Sequence, residues 1–299
     1  MSEINRFGEM SVFVRVVELG GFSAAARACR MTPSAVSKLV SRLETRLGAR
    51  LINRTTRRLQ LTAEGTDFFE RSVRLLADLD EAERSMSTTG TPSGPLRVSV
   101  NVPFGTQILL PIVPDFLACH PGITLEIVLT DAVIDLVEAR TDLAIRAGPL
   151  KSSGLIARKL GETGKIVVAA PTYLERQGIP KIPADLAGHN LIRLGYSRAV
   201  EAWPFRVDGQ PWMLTPTGNT RISDGEAMRQ LAVAGVGVAR LATFQAEADI
   251  AAGRLVALLE AFNPGDREEI HAVFVGPGGH LPARVRALLD FLHDRVVLR

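Results

Sequence analysis

Eight consecutive residues, Thr88-Thr89-Gly90-Thr91-Pro92-Ser93-Gly94-Pro95, suit neither a helix nor a strand, and they cut this chain into two parts of different texture. The prolines lack an amide hydrogen and the glycines are costly to order, so the segment reads as a hinge. Before it, apolar residues recur at helical spacing. After it come the runs 96–100, 106–119, 124–129, 134–139, 142–146 and 165–170, in which strand-like and helical patterns alternate. Alternation of that kind predicts parallel strands joined by crossover helices.

The first part predicts a compact helical unit. Phe7, Met10, Phe13, Val14 and Val17 mark the buried stripe of a helix over 4–19, which Gly20-Gly21 ends. Ser23 caps a short second helix whose alanines permit close packing, and Arg30-Met31 make the turn. Thr32 caps a third helix and Pro33 suits its first turn, having no amide hydrogen to leave unpaired. Its inner stripe is Val36, Leu39, Val40, Leu43 and Leu47, and its outer face collects Ser34, Ser37, Lys38, Ser41, Arg42 and Thr45. Short hydroxyls followed by cations suit a helix lying in a major groove: the hydroxyls reach base edges and the cations meet phosphates. Leu51-Ile52-Asn53 and Leu59-Gln60-Leu61 then flank a cationic tip holding Arg54, Arg57 and Arg58, which predicts a β-hairpin wing able to set arginine along the backbone or in the minor groove.

Charge agrees. Residues 1–58 carry 11 Lys and Arg against 4 Asp and Glu, whereas the whole chain has 35 against 32, so a basic head precedes a mildly acidic body. Residues 62–88 predict one long helix, and Phe68, Ser72, Leu75, Leu79, Ala82 and Met86 form a heptad-like seam for pairing with a second copy. Two heads held in fixed relation would read a dyad operator in double-stranded DNA.

Phe13-Val14-Arg15-Val16-Val17-Glu18-Leu19-Gly20-Gly21-Phe22-Ser23-Ala24-Ala25-Ala26 and Thr32-Pro33-Ser34-Ala35-Val36-Ser37-Lys38 resemble the signature of LysR-type transcriptional regulators. Arg42-Leu43-Glu44, Leu47-Gly48, Arg54-Thr55-Thr56-Arg57 and Glu64-Gly65 continue the likeness, which departs near Pro33, where many members carry glutamine. The resemblance implies an α+β multidomain chain. A winged helix-turn-helix would occupy 1–61, a linker helix and hinge 62–91, and a two-lobed α/β effector domain like periplasmic solute-binding proteins 92–299. Lobe one would take about 92–164 and 270–299, and lobe two about 165–269. It further implies a sequence-specific regulator answering to a small-molecule effector, working in the cytoplasm as a homodimer or dimer of dimers, with RNA polymerase as a further partner. By the same likeness Ser34, Ser37 and Lys38 face the groove, while Arg42 and Arg57 meet backbone or minor groove.

Ligands of such sheets sit at the carboxyl ends of strands, beside helix N-termini. That rule selects Asn101, Pro103, Phe104 and Thr106 after the first strand, Thr130 after the second, Arg146 and Gly148 after the third, and Asp224 before a helix near Glu226. Thr106 would donate a hydroxyl to the ligand or simply cap its helix, and Arg146 would meet an anionic ligand or form an internal salt bridge with Asp142 or Asp131. No nucleophile with its base, metal cluster or cofactor loop emerges, so an enzyme is not expected. Gly235-Val236-Gly237-Val238 follows a helical run and reads as a turn. The histidines lack metal-binding spacing, and Trp203 and Trp212 lie in a loop-rich stretch. An uptake protein would need an export signal, yet residues 1–8 have no basic patch followed by an apolar core.

Overall fold

The structure, a computed structural model, describes residues 5–54, 59–85, 91–132, 141–149, 155–195, 202–274 and 281–298. Arg57, Arg58, Met86, the hinge residues 88–90 and the run 134–139 lie outside the described residues, as do the side chains of Arg54 and Ala82. Two compact units form: Met1–Pro95 with Gly122–Thr124, and the remainder from Leu96.

In the first unit, α1 (Arg6–Glu18), α2 (Phe22–Ala28) and α3 (Pro33–Leu47) precede a hairpin of β1 (Ile52–Arg54) and β2 (Leu59–Leu61), and α4 (Ala63–Ser85) follows. Phe13, Val16, Ala25, Val36, Val40, Leu43 and Leu51 form the core. Three expectations change. Phe7 is 52% exposed, and Val12 and Val16 take the burial instead, because α1 is covered by both α3 and α4 and so needs a broad apolar face. Gly21, not Ser23, stands at the N-cap of α2, where no side chain caps the helix. On α4, Phe68, Phe69, Val73 and Leu76 pack against this same core, and the Phe68 ring lies 5.7 Å from that of Phe13. Phe68 and the fully buried Ser72 are thus consumed within the head, whereas Leu75, 53% exposed, is left on the outer seam.

The second unit is built on a sheet ordered β11-β6-β13-β5-β3-β4, with β12 also paired to β6. The strands concerned are β3 (Gly94–Val100), β4 (Ile123–Leu129), β5 (Leu143–Ala147), β6 (Ile156–Ala169), β11 (Ala239–Ala242), β12 (Val256–Leu258) and β13 (Arg267–Phe274). β3 and β5 run parallel. β6 begins well before the predicted 165–170. Its first part pairs with β13 and its last part with β11 and β12, so β6 and β13 carry the chain between two lobes. Lobe two adds β7 (Arg193–Leu194) paired in parallel with β10 (Arg221–Ile222). It also holds an antiparallel hairpin of β8 (Trp203–Val207) and β9 (Gln210–Leu214). That hairpin replaces the loop expected around Trp203 and Trp212. Its two-residue turn, Asp208-Gly209, has positive φ at both positions, as the twist of paired strands requires.

A helix spans Val102–Cys119, four residues longer at its start than predicted. Pro103 sits in its first turn, where a missing amide hydrogen costs nothing, and residues 105–109 widen to π geometry. By length and composition this helix could cross a membrane, but Phe104, Leu109 and Phe116 are buried in the lobe.

Candidate nucleic-acid interface and effector cleft

The polar side of α3 is set by its caps and its core. Thr32 Oγ1 accepts the Ala35 amide at 3.2 Å and lies 3.0 Å from Ser34 Oγ, while Gly48 closes the helix in the left-handed conformation. With Val36, Val40 and Leu43 buried, Thr32, Pro33, Ser34, Lys38 and Arg42 are exposed and Ser37 is half-buried on the same side. Leu47, expected inside, is 38% exposed because the helix is ending there. Sequence reasoning missed Glu9. It is buried on α1, accepts Arg46 Nε at 3.2 Å and lies 3.7 Å from Arg42 Nε, so it fixes the stems of two α3 arginines while Arg42 stays half exposed.

The wing is tied to the same helix. Glu44 Oε1 accepts the amides of Leu51 and Ile52 at 2.9 and 3.2 Å, and the Leu51 carbonyl accepts the Thr62 amide at 3.0 Å. Thr62 Oγ1 in turn caps α4, accepting the Gly65 amide at 2.9 Å. Here a glycine is required: a Cβ on Gly65 would stand 2.0 Å from the Leu51 carbonyl oxygen. Arg54 ends β1 opposite Leu59, at the base of the wing.

In the second unit, the predicted effector residues divide. Phe104 is fully buried and Pro103 nearly so. Thr106 donates its hydroxyl to the Val102 carbonyl at 2.9 Å, which leaves only acceptor capacity. The Arg146 guanidinium is turned inward, donating to the Ser99 carbonyl at 3.1 Å and the Ser99 hydroxyl at 2.7 Å. Gly148, with φ of 82°, ends β5 by pairing with Glu269. Thr130 accepts the Ala132 amide, and Asp224 caps its helix through the Ala227 amide at 2.7 Å.

What the fold does bring together lies between the lobes. Asp131, following β4, accepts the Val102 amide at 2.9 Å through one oxygen and the Gly225 amide at 3.3 Å through the other. Val102 opens the helix of lobe one and Gly225 opens the helix Gly225–Val233 of lobe two. A Cβ on Gly225 would meet Pro103 at 2.8 Å, so the two helix starts touch. Nearby, Gln107 donates to Glu226 at 3.0 Å across the same seam. Arg229 holds Glu226 at 2.6 Å and also binds Asp249, which accepts Arg254 at 2.6 Å. Burial raises the Asp131 pKa, opposed by its two amide bonds, while the neighbouring Asp224 carboxylate adds to the rise. Glu226 shifts down: burial opposes this, but hydrogen bonds from Arg229 and Gln107 prevail. Asn101, 8% exposed and next to Val102, has a buried side-chain oxygen without a hydrogen-bond partner. Asp131 and Gln107 were within reach of the strand-end rule, since each lies in or beside a selected segment. Their pairing with lobe two was not, since it spans 94 and 119 residues.

Residues 7–66 match the family described as bacterial regulatory helix-turn-helix protein, lysR family, and residues 89–297 match the LysR substrate binding domain. The chain is 38% identical over 290 residues to the HTH-type transcriptional regulator CrgA of Neisseria meningitidis serogroup C, covering 96% of each chain. It is 31% identical to the HTH-type transcriptional activator AaeR of Escherichia coli, over 98% of this chain and 95% of that one. Among solved structures, CrgA, a LysR-type transcriptional regulator from Neisseria meningitidis, aligns with TM-score 0.64 at 37% identity, over 96% of this chain and 97% of that one. Full-length AphB, the Vibrio cholerae virulence activator, aligns with TM-score 0.60 at 25% identity, over 96% and 98%.

Proposed function

This chain belongs to the LysR-type transcriptional regulators, DNA-binding proteins whose operator binding is modulated by a small-molecule effector, and we propose that its operator is read by the exposed side of α3. The observation carrying this is the run from Thr32 to Arg42: hydroxyls at the capped start, cations beyond, and an apolar back fixed in the core. Ser34, Ser37 and Lys38 address base edges. Arg42 and the wing residues Arg54, Arg57 and Arg58 address the sugar-phosphate backbone and minor groove, with Thr32 and Pro33 fixing the approach of the helix start.

Ser37→Ala tests the assignment. Loss of one hydroxyl contact to a base should weaken operator binding by about 1 kcal/mol, roughly fivefold, with little change on random DNA. Fluorescence anisotropy on both duplexes reads the difference, and equal losses would remove Ser37 from the readout.

The protein acts as a homodimer or dimer of dimers on a dyad site, with α4 as a pairing helix. Leu75, more than half exposed on the seam, supports this. Leu75→Glu should shift the species seen in sedimentation velocity toward monomer without lowering helicity. An unchanged oligomer would exclude this stretch of α4 from the interface.

The effector is taken between the lobes, at the ends of β3 and β4 and the start of the helix Gly225–Val233, where Asn101, Thr106, Thr130 and Asp224 cluster with Asp131. The regulator carries no catalytic role, works in the cytoplasm and engages RNA polymerase at its promoters. A thermal-shift screen of the full chain against metabolites tests the cleft, because a ligand that prefers the folded state raises its melting point.

A further inference from the structure

We propose that Asp131 is an internal ligand of the cleft: its carboxylate fills an anion site built from one amide of each lobe, and a carboxylate-bearing effector enters by displacing it. The inference rests on reading the cleft as the effector site and names the chemistry that site takes.

Two amides at helix starts, Val102 in lobe one and Gly225 in lobe two, converge on a single carboxylate. Free amides at a helix start carry partial positive charge, so each is a natural partner for an anion. Neither helix can satisfy its first amides internally, and in this state both of these are satisfied by a residue belonging to lobe one alone. Asp131 therefore does what a bound carboxylate would do: it draws the two lobes onto one negative charge. Each amide already donates to one Asp131 oxygen, so an incoming carboxylate and Asp131 compete for the same two donors.

The surroundings favour exchange over permanence. Other described charged groups acting on Asp131 are the Asp224 carboxylate, which repels it, and Arg146, which attracts it more weakly while its guanidinium donates to Ser99. No described cation pairs directly with Asp131. Its hold is two amide bonds and a weak attraction from Arg146, offset by desolvation and by repulsion from Asp224, which is the balance expected of a ligand that an incoming anion can replace. Asn101 has a buried side-chain oxygen without a partner next to Val102, an acceptor that suits a hydrogen-bond donor elsewhere on the effector and not its carboxylate.

The test is hydrogen exchange of the full-length protein, resolved at the peptides containing Val102 and Gly225. In Asp131→Ala, exchange at both sites should rise by about tenfold or more, since the local opening that exposes them is no longer opposed. Added sodium acetate should restore protection at both sites in that variant, sodium chloride at equal ionic strength should not, and neither salt should act on the wild type. If Asp131→Ala is poorly folded, Asp131→Asn carries the test: its amide retains one acceptor oxygen, so protection should fall at one site only, with acetate unable to enter. Unchanged exchange in both variants, or a failure of acetate to protect Asp131→Ala, overturns the proposal. A metabolite screen without hits on the wild type, combined with acetate protection of the variant, would fault the effector reading of the cleft and leave the anion site standing.

Discussion

Gly65→Ala should destabilise the head by about 3 kcal/mol and weaken operator binding more than tenfold, although alanine is the better helix former by about 1 kcal/mol. Sterics outweigh propensity here because the added methyl would lie 2.0 Å from the carbonyl oxygen of Leu51 and 2.8 Å from its carbonyl carbon. These are main-chain atoms and cannot rotate away. Relief requires α4 to withdraw from the strand entry, which breaks the Thr62 to Leu51 hydrogen bond and shifts the amides held by Glu44. The wing and the seat of α3 then move together. Gly21→Ala is the matched control, since its methyl meets open space. Differential scanning calorimetry and anisotropy on operator DNA check both halves, and wild-type behaviour of Gly65→Ala would show that this contact does not position the wing.

The second large effect lies far from the DNA. Asp249 is 1% exposed and holds Arg229 on one side and Arg254 on the other. Asp249→Ala takes a shared buried partner from both cations; since Arg254 is half exposed and Arg229 keeps Glu226, the loss should be about 2 kcal/mol, that of charge-assisted hydrogen bonds. The loss should also reach the cleft, because Arg229 orients the Glu226 carboxylate that Gln107 contacts from the other lobe. Its pH dependence has a definite sign. Burial pushes the Asp249 pKa up, but hydrogen bonds from Arg254 and Arg229 prevail and hold it below the ordinary aspartate value. A lowered folded pKa means stability present above about pH 3.9 and lost as pH falls through the depressed value. Urea denaturation of wild type and Asp249→Asn should therefore differ most near neutrality and converge in acid. A gap that widens in acid would contradict the pairing.

The head was legible because each of its signals is local. Thr32 and Pro33 announce the start of α3 and Gly48 its end, and the inner residues repeat at one period. Where sequence and structure part, a distant partner decides. Phe68 and Ser72 fit a seam for another chain by spacing alone, yet the core around Phe13 claims them, and nothing within the linker's own sequence reveals that rival surface. The first part of β6 escaped notice for a related reason. Among the described residues it pairs there on one side only, with β13, and its Arg158, Lys159 and Glu162 form ion pairs with Asp290 of the C-terminal helix and with Glu269 and Arg267 of β13. Charged edges keep strands from joining neighbours, and they also erase the apolar alternation by which strands are recognised. The β8–β9 hairpin falls in a stretch that reads as loop, although its turn, Asp208-Gly209, is a strong two-residue hairpin signal.

In the cleft, the strand-end rule reaches the segment beside Asp131 but carries no information on what each side chain bonds. It selected residues by position along the chain, whereas Thr106 and Arg146 spend their donors on carbonyls beside them and Asp131 reaches across to lobe two.

The burial of Phe68, Phe69, Val73 and Leu76 in the head has a mechanical corollary. About four turns of α4, counted from Ala63 to Leu76, travel with the recognition surface as one solid piece, roughly 20 Å long at 1.5 Å per residue. A joint at the base of the wing is thereby removed. If two heads read a dyad operator as proposed, a change in half-site spacing has to come from the chain past Leu76, with each head carried on a stiff arm instead of swivelling in place.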